Sequence, residues 1–294
     1  MSRLPKLLMY IIVLSLVTVN FVTAQGTEKP RKCIMVFGAH ADDVEPMAGG
    51  TFAKYISEGY EGIYVCVINN FAGNGIESVR GGTDAPAGVK GPLFSISNSP
   101  QSYPVDALET IQIRAEEAIS AAAVFHATPL FLDFREGFVW QGRSRFYLGS
   151  DTYHQYDPPG RQAVSLAEEE SGNVDYLVDL LRKYSPEIVI THTMGGDKHD
   201  HGNSGYIMYL AFKKAMEKGV AVGKLWMRPK GWLVDAEAKS KNRGNADVRI
   251  DVSKYVNVKY EALNKHVSQK GTIRKQTRPE EVTEEFITVL DNTK

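Results

Sequence analysis

Residues 38–51 read Gly-Ala-His-Ala-Asp-Asp-Val-Glu-Pro-Met-Ala-Gly-Gly-Thr, directly after the apolar run Cys33 to Phe37. A histidine and two adjacent carboxylates at the end of a hydrophobic strand cost stability unless something offsets their charge. A second stretch of this kind, Thr191-His-Thr-Met-Gly-Gly-Asp-Lys-His-Asp-His201, closes the apolar segment Glu187–Thr191. Four of the seven histidines fall in these two stretches, and neither stretch contains a cysteine. Imidazole and carboxylate ligands without thiolate suit Zn²⁺, or another divalent ion, at a catalytic site with an open coordination position. Each stretch alone has a plainer reading, since His and Asp are common in loops and Asp43 could simply cap the next helix. Two such stretches at equivalent places favour the metal.

The elements that must position them follow from the apolar pattern. Cys33–Phe37, Ile63–Ile68, Leu130–Phe134 and Glu187–Thr191 read as strands. Ala48–Gly59, Ala107–Phe125, Val174–Tyr184 and Ser204–Lys218 read as helices between and after them. The last third offers short strands at Lys224–Met227, Trp232–Val234 and Val248–Val252, with helices near Tyr255–Val267 and Glu280–Leu290. Residues 71–104, dense in Gly, Ser, Asn and Pro, read as a long loop, and Glu136–Pro159 as an aromatic, turn-rich excursion. Strand–helix–strand alternation predicts an α/β, Rossmann-like fold: a mostly parallel sheet with helices on both faces. Ligands in such sheets sit beyond the carboxyl ends of the strands, and both His/Asp stretches fall there.

The first 24 residues stand apart. Arg3 and Lys6 precede an apolar stretch, Leu7 to Val22, that closes with Val22-Thr23-Ala24 before Gln25. This is the layout of a signal peptide cleaved near Ala24, with export to a periplasmic or extracellular space. A retained membrane anchor is the rival reading; Gln25 in place of Cys argues against a lipoprotein. Residues 25–294 then form a single catalytic domain, with no stable membrane insertion. Losing residues 1–24 removes two basic residues and no acidic one, so 32 basic against 35 acidic residues remain, a net charge of −3. That near-neutral balance gives no footprint for nucleic acid. Cys33 and Cys66 sit near opposite ends of their strands, so parallel pairing leaves them too far apart to bridge and both read as buried core thiols.

His40-Ala-Asp-Asp-Val-Glu45 with Gly49-Gly50-Thr51 resembles the AHPDD(V)E…GGT signature of the PIG-L/LmbE-like N-acetylglucosaminyl deacetylases. Arg114-Ala-Glu-Glu117 resembles that family's R-x-x-E helix. Thr191-His192 to Asp200-His201 is similar to its TH…HPDH segment, and Lys259…Ala262…His266-Val-Ser-Gln269 to its late K..A...H.SQ helix. The similarity runs in order over residues 32–270.

The resemblance implies metal ligands at His40, Asp43 and His201 and a general base at Asp42, which would take the proton of a metal-activated water. It implies an N-acetylated, GlcNAc-type sugar or glycoconjugate as substrate. The first histidine of HPDH falls on Lys198, a cation suited to an oxyanion but a poor proton donor. His199, one residue on, could take that role, with Asp200 as the orienting carboxylate. Ala41 replaces the family proline, which loosens the loop. His192 reads as a ligand or, preferably, a packing residue. Arg114 could reach a substrate hydroxyl or form a helix-surface pair with Glu117, and His266 and Gln269 line the site if the resemblance holds at the C-terminal end. The alternatives are hydrolysis of another N-acyl or amino-sugar amide, and a secreted carbohydrate-binding protein with a degenerate site.

Overall fold

The computed structural model describes residues 32–70, 107–135, 138–141, 144–147, 160–164, 171–194, 200–229, 246–269 and 281–293. The leader, the loop 71–104, the strand expected at Trp232–Val234, and Lys198 and His199 lie outside the described residues. Lys32–Lys294 forms one compact unit. No helix among the described residues is long and apolar enough to cross a membrane.

The strands are β1 (Cys33–Gly38), β2 (Glu61–Ile68), β3 (Thr128–Arg135), β4 (Phe138–Gln141), β5 (Ser144–Tyr147), β6 (Arg161–Ala163), β7 (Ile188–Thr191), β8 (Lys224–Met227), β9 (Val248–Asp251) and β10 (Thr283–Asp291). The helices are α1 (Val44–Ser57), α2 (Ala107–Val124), α3 (Ser171–Tyr184), α4 (Asp200–Glu217) and α5 (Val256–Leu263). Strands pair in the order β6-β3-β2-β1-β7-β8-β10-β9, with β4 and β5 forming a separate antiparallel pair. From β6 to β8 all neighbours are parallel, while β10 runs antiparallel to β8 and β9.

Every residue of β1 is buried, as expected of a parallel strand covered on both faces. Met35 and Phe37 pack with α3 and α4, through Leu177, Leu181, Ile207 and Phe212. Ile34 and Val36 face the other core, with Phe52 of α1, Ala118, Ala121 and Ala122 of α2, and Ala262 of α5. The chain leaves β1 toward β2, β3 and β6, then returns to place β7 on the opposite side of β1. The strand order reverses between β1 and β7, so the ligand crevice belongs at their carboxyl ends. Phe37 and Thr191 are direct partners there, which starts the two His/Asp loops side by side.

The parallel register pairs Cys66 with Gly38 and Cys33 with Glu61, so both thiols are buried and free. Burial first, then Glu61 and Glu187, pushes the Cys33 thiol up to about 12.

Two expectations are corrected. Glu280–Leu290 is not a helix: Thr283–Asp291 is a strand, with Glu284 and Phe286 buried on one face. The strand's alternation is hidden in the sequence because one of its inward residues is a glutamate. The helix expected to start at Ala48 starts at Val44 and is broken at Ala48, which leaves helical geometry (φ −153°, ψ 17°).

These two corrections share one cause. The helix restarts after Ala48, and the Gly50 and Thr51 amides donate to the Glu284 carboxylate at 3.0 and 2.7 Å. An acid side chain at a helix start satisfies amides that have no intrahelical partner. Lys259 of α5 completes the pair, its Nζ 2.7 Å from Glu284 Oε1. Gly50 is needed because a Cβ there would stand 2.6 Å from Val252 Cβ. Removing one partner of a buried ion pair strands the other's charge. Lys259→Ala should therefore cost about 3–5 kcal/mol, read as a lower urea midpoint, and adding Glu284→Gln should recover part of it.

Candidate active site

Asp43 precedes α1 but makes no capping hydrogen bond to the helix. Its carboxylate turns back instead: Oδ2 accepts the His40 amide at 2.6 Å and lies 3.1 Å from His40 Nδ1. The start of α4 supplies the third group. His201 Nε2 lies 3.0 Å from His40 Nδ1 and 3.3 Å from Asp43 Oδ2. Helix α4 reaches this place because Gly205 passes directly over the end of β7, where a Cβ would come within 2.4 Å of the His192 carbonyl oxygen.

Two ring nitrogens and a carboxylate oxygen thus converge from loops far apart in sequence, all within 4.8 Å of one another. Three ligands of a tetrahedral Zn²⁺, each about 2.0–2.1 Å from the ion, stand about 3.3–3.4 Å apart. The observed spacings are close to that edge, so the donor set fits a shared cation. The electrostatics agree. Burial lowers the proton affinity of His40, but the Asp200 and Asp43 carboxylates outweigh it and hold the ring well above its ordinary value. Burial raises Asp43, but His201 and His192 outweigh it and bring the carboxyl well below its ordinary value. The Asp43 and Asp200 carboxylates thus favour positive charge at the His40 ring.

Asp200 is almost fully buried, with Oδ2 3.7 Å from His40 Nε2, on the ring edge opposite Nδ1. A carboxylate behind a ligating histidine fixes its tautomer and orientation. His192 accepts the Ala39 amide on Nε2 at 3.0 Å, which occupies that lone pair. Its ring stacks on His201, centroids 4.5 Å apart and planes 8° apart. Burial, opposed by Asp43, lowers it to about 4, so it is a neutral buttress for His201.

Asp42, one residue before Asp43, is not one of these three converging groups. Its Oδ1 accepts Arg114 Nη2 at 2.5 Å, and both side chains are buried. Burial raises the Asp42 carboxyl, but Arg114, His266 and His40 together outweigh it and leave it below its ordinary value. The Arg114–Glu117 pair is not on the helix surface: Arg114 is only 2% exposed. Helix α2 reaches the sheet closely through three alanines, 118, 121 and 122, all fully buried, which brings Arg114 in with it. His266 is also fully buried, 3.4 Å from Glu45 Oε1 through Nε2. Gln269 is buried too, with its amide 3.4 Å from Ser268 Oγ.

The structure adds residues that the sequence did not single out. Asn70, with φ 60°, clips the loop after β1 by accepting the Ala41 amide at 3.1 Å and donating to the Ile68 carbonyl at 2.8 Å. A proline at position 41 has no such amide, so Asn70 ties down the loop that the substitution was expected to loosen. Tyr64 donates to the Ala41 carbonyl and lies within 2.9 Å of Glu45 Oε1. The one sequence signal was an Asn at a strand end, a residue type that tolerates left-handed backbone.

Among solved structures, the fold is similar to N,N′-diacetylchitobiose deacetylase from Pyrococcus horikoshii (TM-score 0.55, 14% identity, covering 99% of this chain and 95% of that one). It is also similar to GalB, the 4-carboxy-2-hydroxymuconate hydratase from Pseudomonas putida (TM-score 0.54, 18% identity, 88% and 96% covered). A deacetylase of teicoplanin biosynthesis aligns with a TM-score of 0.51 at 15% identity, covering 87% of this chain and 98% of that one. At these identities the likeness establishes the fold, a mixed α/β sheet flanked by helices. Residues 35–212, which take in both His/Asp loops and Arg114, match the family described as PIG-L, GlcNAc-PI de-N-acetylase, and the chain belongs to that family.

Proposed function

We propose that this protein is an exported, metal-dependent hydrolase that removes the acetyl group from an N-acetylated, GlcNAc-type sugar or glycoconjugate. The observation that supports it is the convergence of His40, Asp43 and His201 beside a carboxylate, Asp42, kept off the cluster and held by Arg114. The fold alone does not choose the reaction, because a hydratase and deacetylases share it. Family membership and the donor set favour amide hydrolysis. A carbohydrate-binding module would need neither the ligand cluster nor a buried base.

In this reading His40, Asp43 and His201 hold a divalent ion, Zn²⁺ or a similar metal, with Asp200 orienting His40. The bound ion supplies Lewis acidity, polarising the acetamide carbonyl and acidifying a water. Asp42 accepts the proton of that water as its oxygen attacks the carbonyl carbon. As the C–N bond breaks, Asp42 returns the proton to the leaving nitrogen, giving acetate and a free amine. Lys198 or His199 stabilises the oxyanion. His266 and Gln269 act from behind Glu45 and Ser268. The leader, cleaved near Ala24, delivers residues 25–294 as one catalytic domain.

Acetate release across a panel of N-acetylated sugars and glycans tests this reading, and silence on every acetamide with metal supplied overturns it. Lys198→Ala should lower kcat more than it raises KM. An unaffected kcat, together with a loss in His199→Ala, assigns the oxyanion to His199.

A further inference from the structure

We propose that Glu117 and Ser268 are positioning residues: they hold the Arg114 guanidinium and through it fix the carboxylate of Asp42. This rests on the reading of Asp42 as the base. Arg114 meets Asp42 through one nitrogen, Nη2 at 2.5 Å. A single contact leaves the guanidinium free to swivel about it, whereas a second anchor fixes the plane. That anchor is on the other nitrogen: Nη1 lies 3.4 Å from Glu117 Oε2 and 3.4 Å from Ser268 Oγ.

Glu117 is itself immobilised. Oε1 accepts the Ser268 amide at 2.6 Å and Oε2 accepts the Ser268 hydroxyl at 2.7 Å. All four residues are nine-tenths or more buried, so each charge depends on its neighbours for stabilisation. The cation lies between two carboxylates, one the proposed base and one clamped by the 3₁₀ turn Val267–Gln269. Three segments far apart in sequence meet at this guanidinium: the loop after β1, helix α2, and the turn after α5. Docking of that turn therefore sets the orientation of a carboxylate in the loop after β1.

The test has two arms. In crystal structures of Glu117→Gln and Ser268→Ala, the Arg114–Asp42 contact should lengthen or break, while His40, Asp43 and His201 stay in place. Arg114 and Asp42 unmoved in both variants overturn the proposal, and this arm needs no substrate. In turnover of an acetamide substrate, Glu117→Gln should lower kcat about tenfold with KM within about twofold and metal content unchanged. Ser268→Thr, which keeps the hydroxyl, should retain more kcat than Ser268→Ala. In an Asp42→Asn background Glu117→Gln should have no further effect; an equal loss there overturns the proposal. Absence of turnover in every form counts against the deacetylase reading, and the crystallographic arm still decides the clamp. If Glu117→Gln does not fold, Ser268→Ala, which removes the hydroxyl but leaves both carboxylates and Arg114 in place, decides both arms.

Discussion

Asp42→Asn should lower turnover by roughly 10²–10⁴-fold, the usual share of a positioned general base, and leave the bound metal in place. The replacement is isosteric and keeps an oxygen for Arg114, so the loop, α2 and the His40–Asp43–His201 cluster need not move. What it removes is the ability to take a proton. Burial works against the Asp42 charge, and Arg114, His266 and His40 together outweigh it, so the carboxylate is ionised throughout the neutral range and ready to accept. Acetate release measured beside elemental analysis separates this outcome from a loss of metal. Turnover near wild type would place the base elsewhere, and the clamp of Glu117 and Ser268 would then serve α2 alone.

The site's location was legible because its two halves obey one rule. Each His/Asp stretch follows a continuously apolar strand, and such strands in an alternating α/β chain end at the ligand edge. Which strands are neighbours was not legible: nothing local in Glu187–Thr191 states that it returns to lie beside β1, since register and order are set by packing on both faces. The burial of Arg114 was hidden for a related reason. A charged residue on a helix reads as solvent-facing unless its partner is known, and its partner, Asp42, lies on another element. β10 was misread because Glu284 occupies an inward position, and its partners Lys259, Gly50 and Thr51 come from two other elements. Local pattern thus located the candidate site, while the groups that hold its side chains depend on long-range pairs of buried polar residues.

The purified protein should hold about one divalent ion per chain, and His201→Ala and His40→Ala should lose it. His40 Nδ1, His201 Nε2 and a carboxylate oxygen of Asp43 lie within 4.8 Å of one another, a spacing that suits a shared cation. An ion that binds only the folded cluster should stabilise the fold by about 2.7 kcal/mol when it is present at a hundredfold its Kd, read as a rise in Tm over the chelated protein. Asp200→Asn should weaken binding by roughly 10–100-fold without abolishing it, as loss of an orienting carboxylate does. His192→Phe should keep the ion, because the lone pair of His192 is already taken by the Ala39 amide. A chelated protein with unchanged Tm would count against an ion held by the fold, whereas His192→Phe losing metal while His201→Ala keeps it would exchange the roles of the two stacked histidines. It would also move the metal from the β1–α4 side of the crevice to the end of β7.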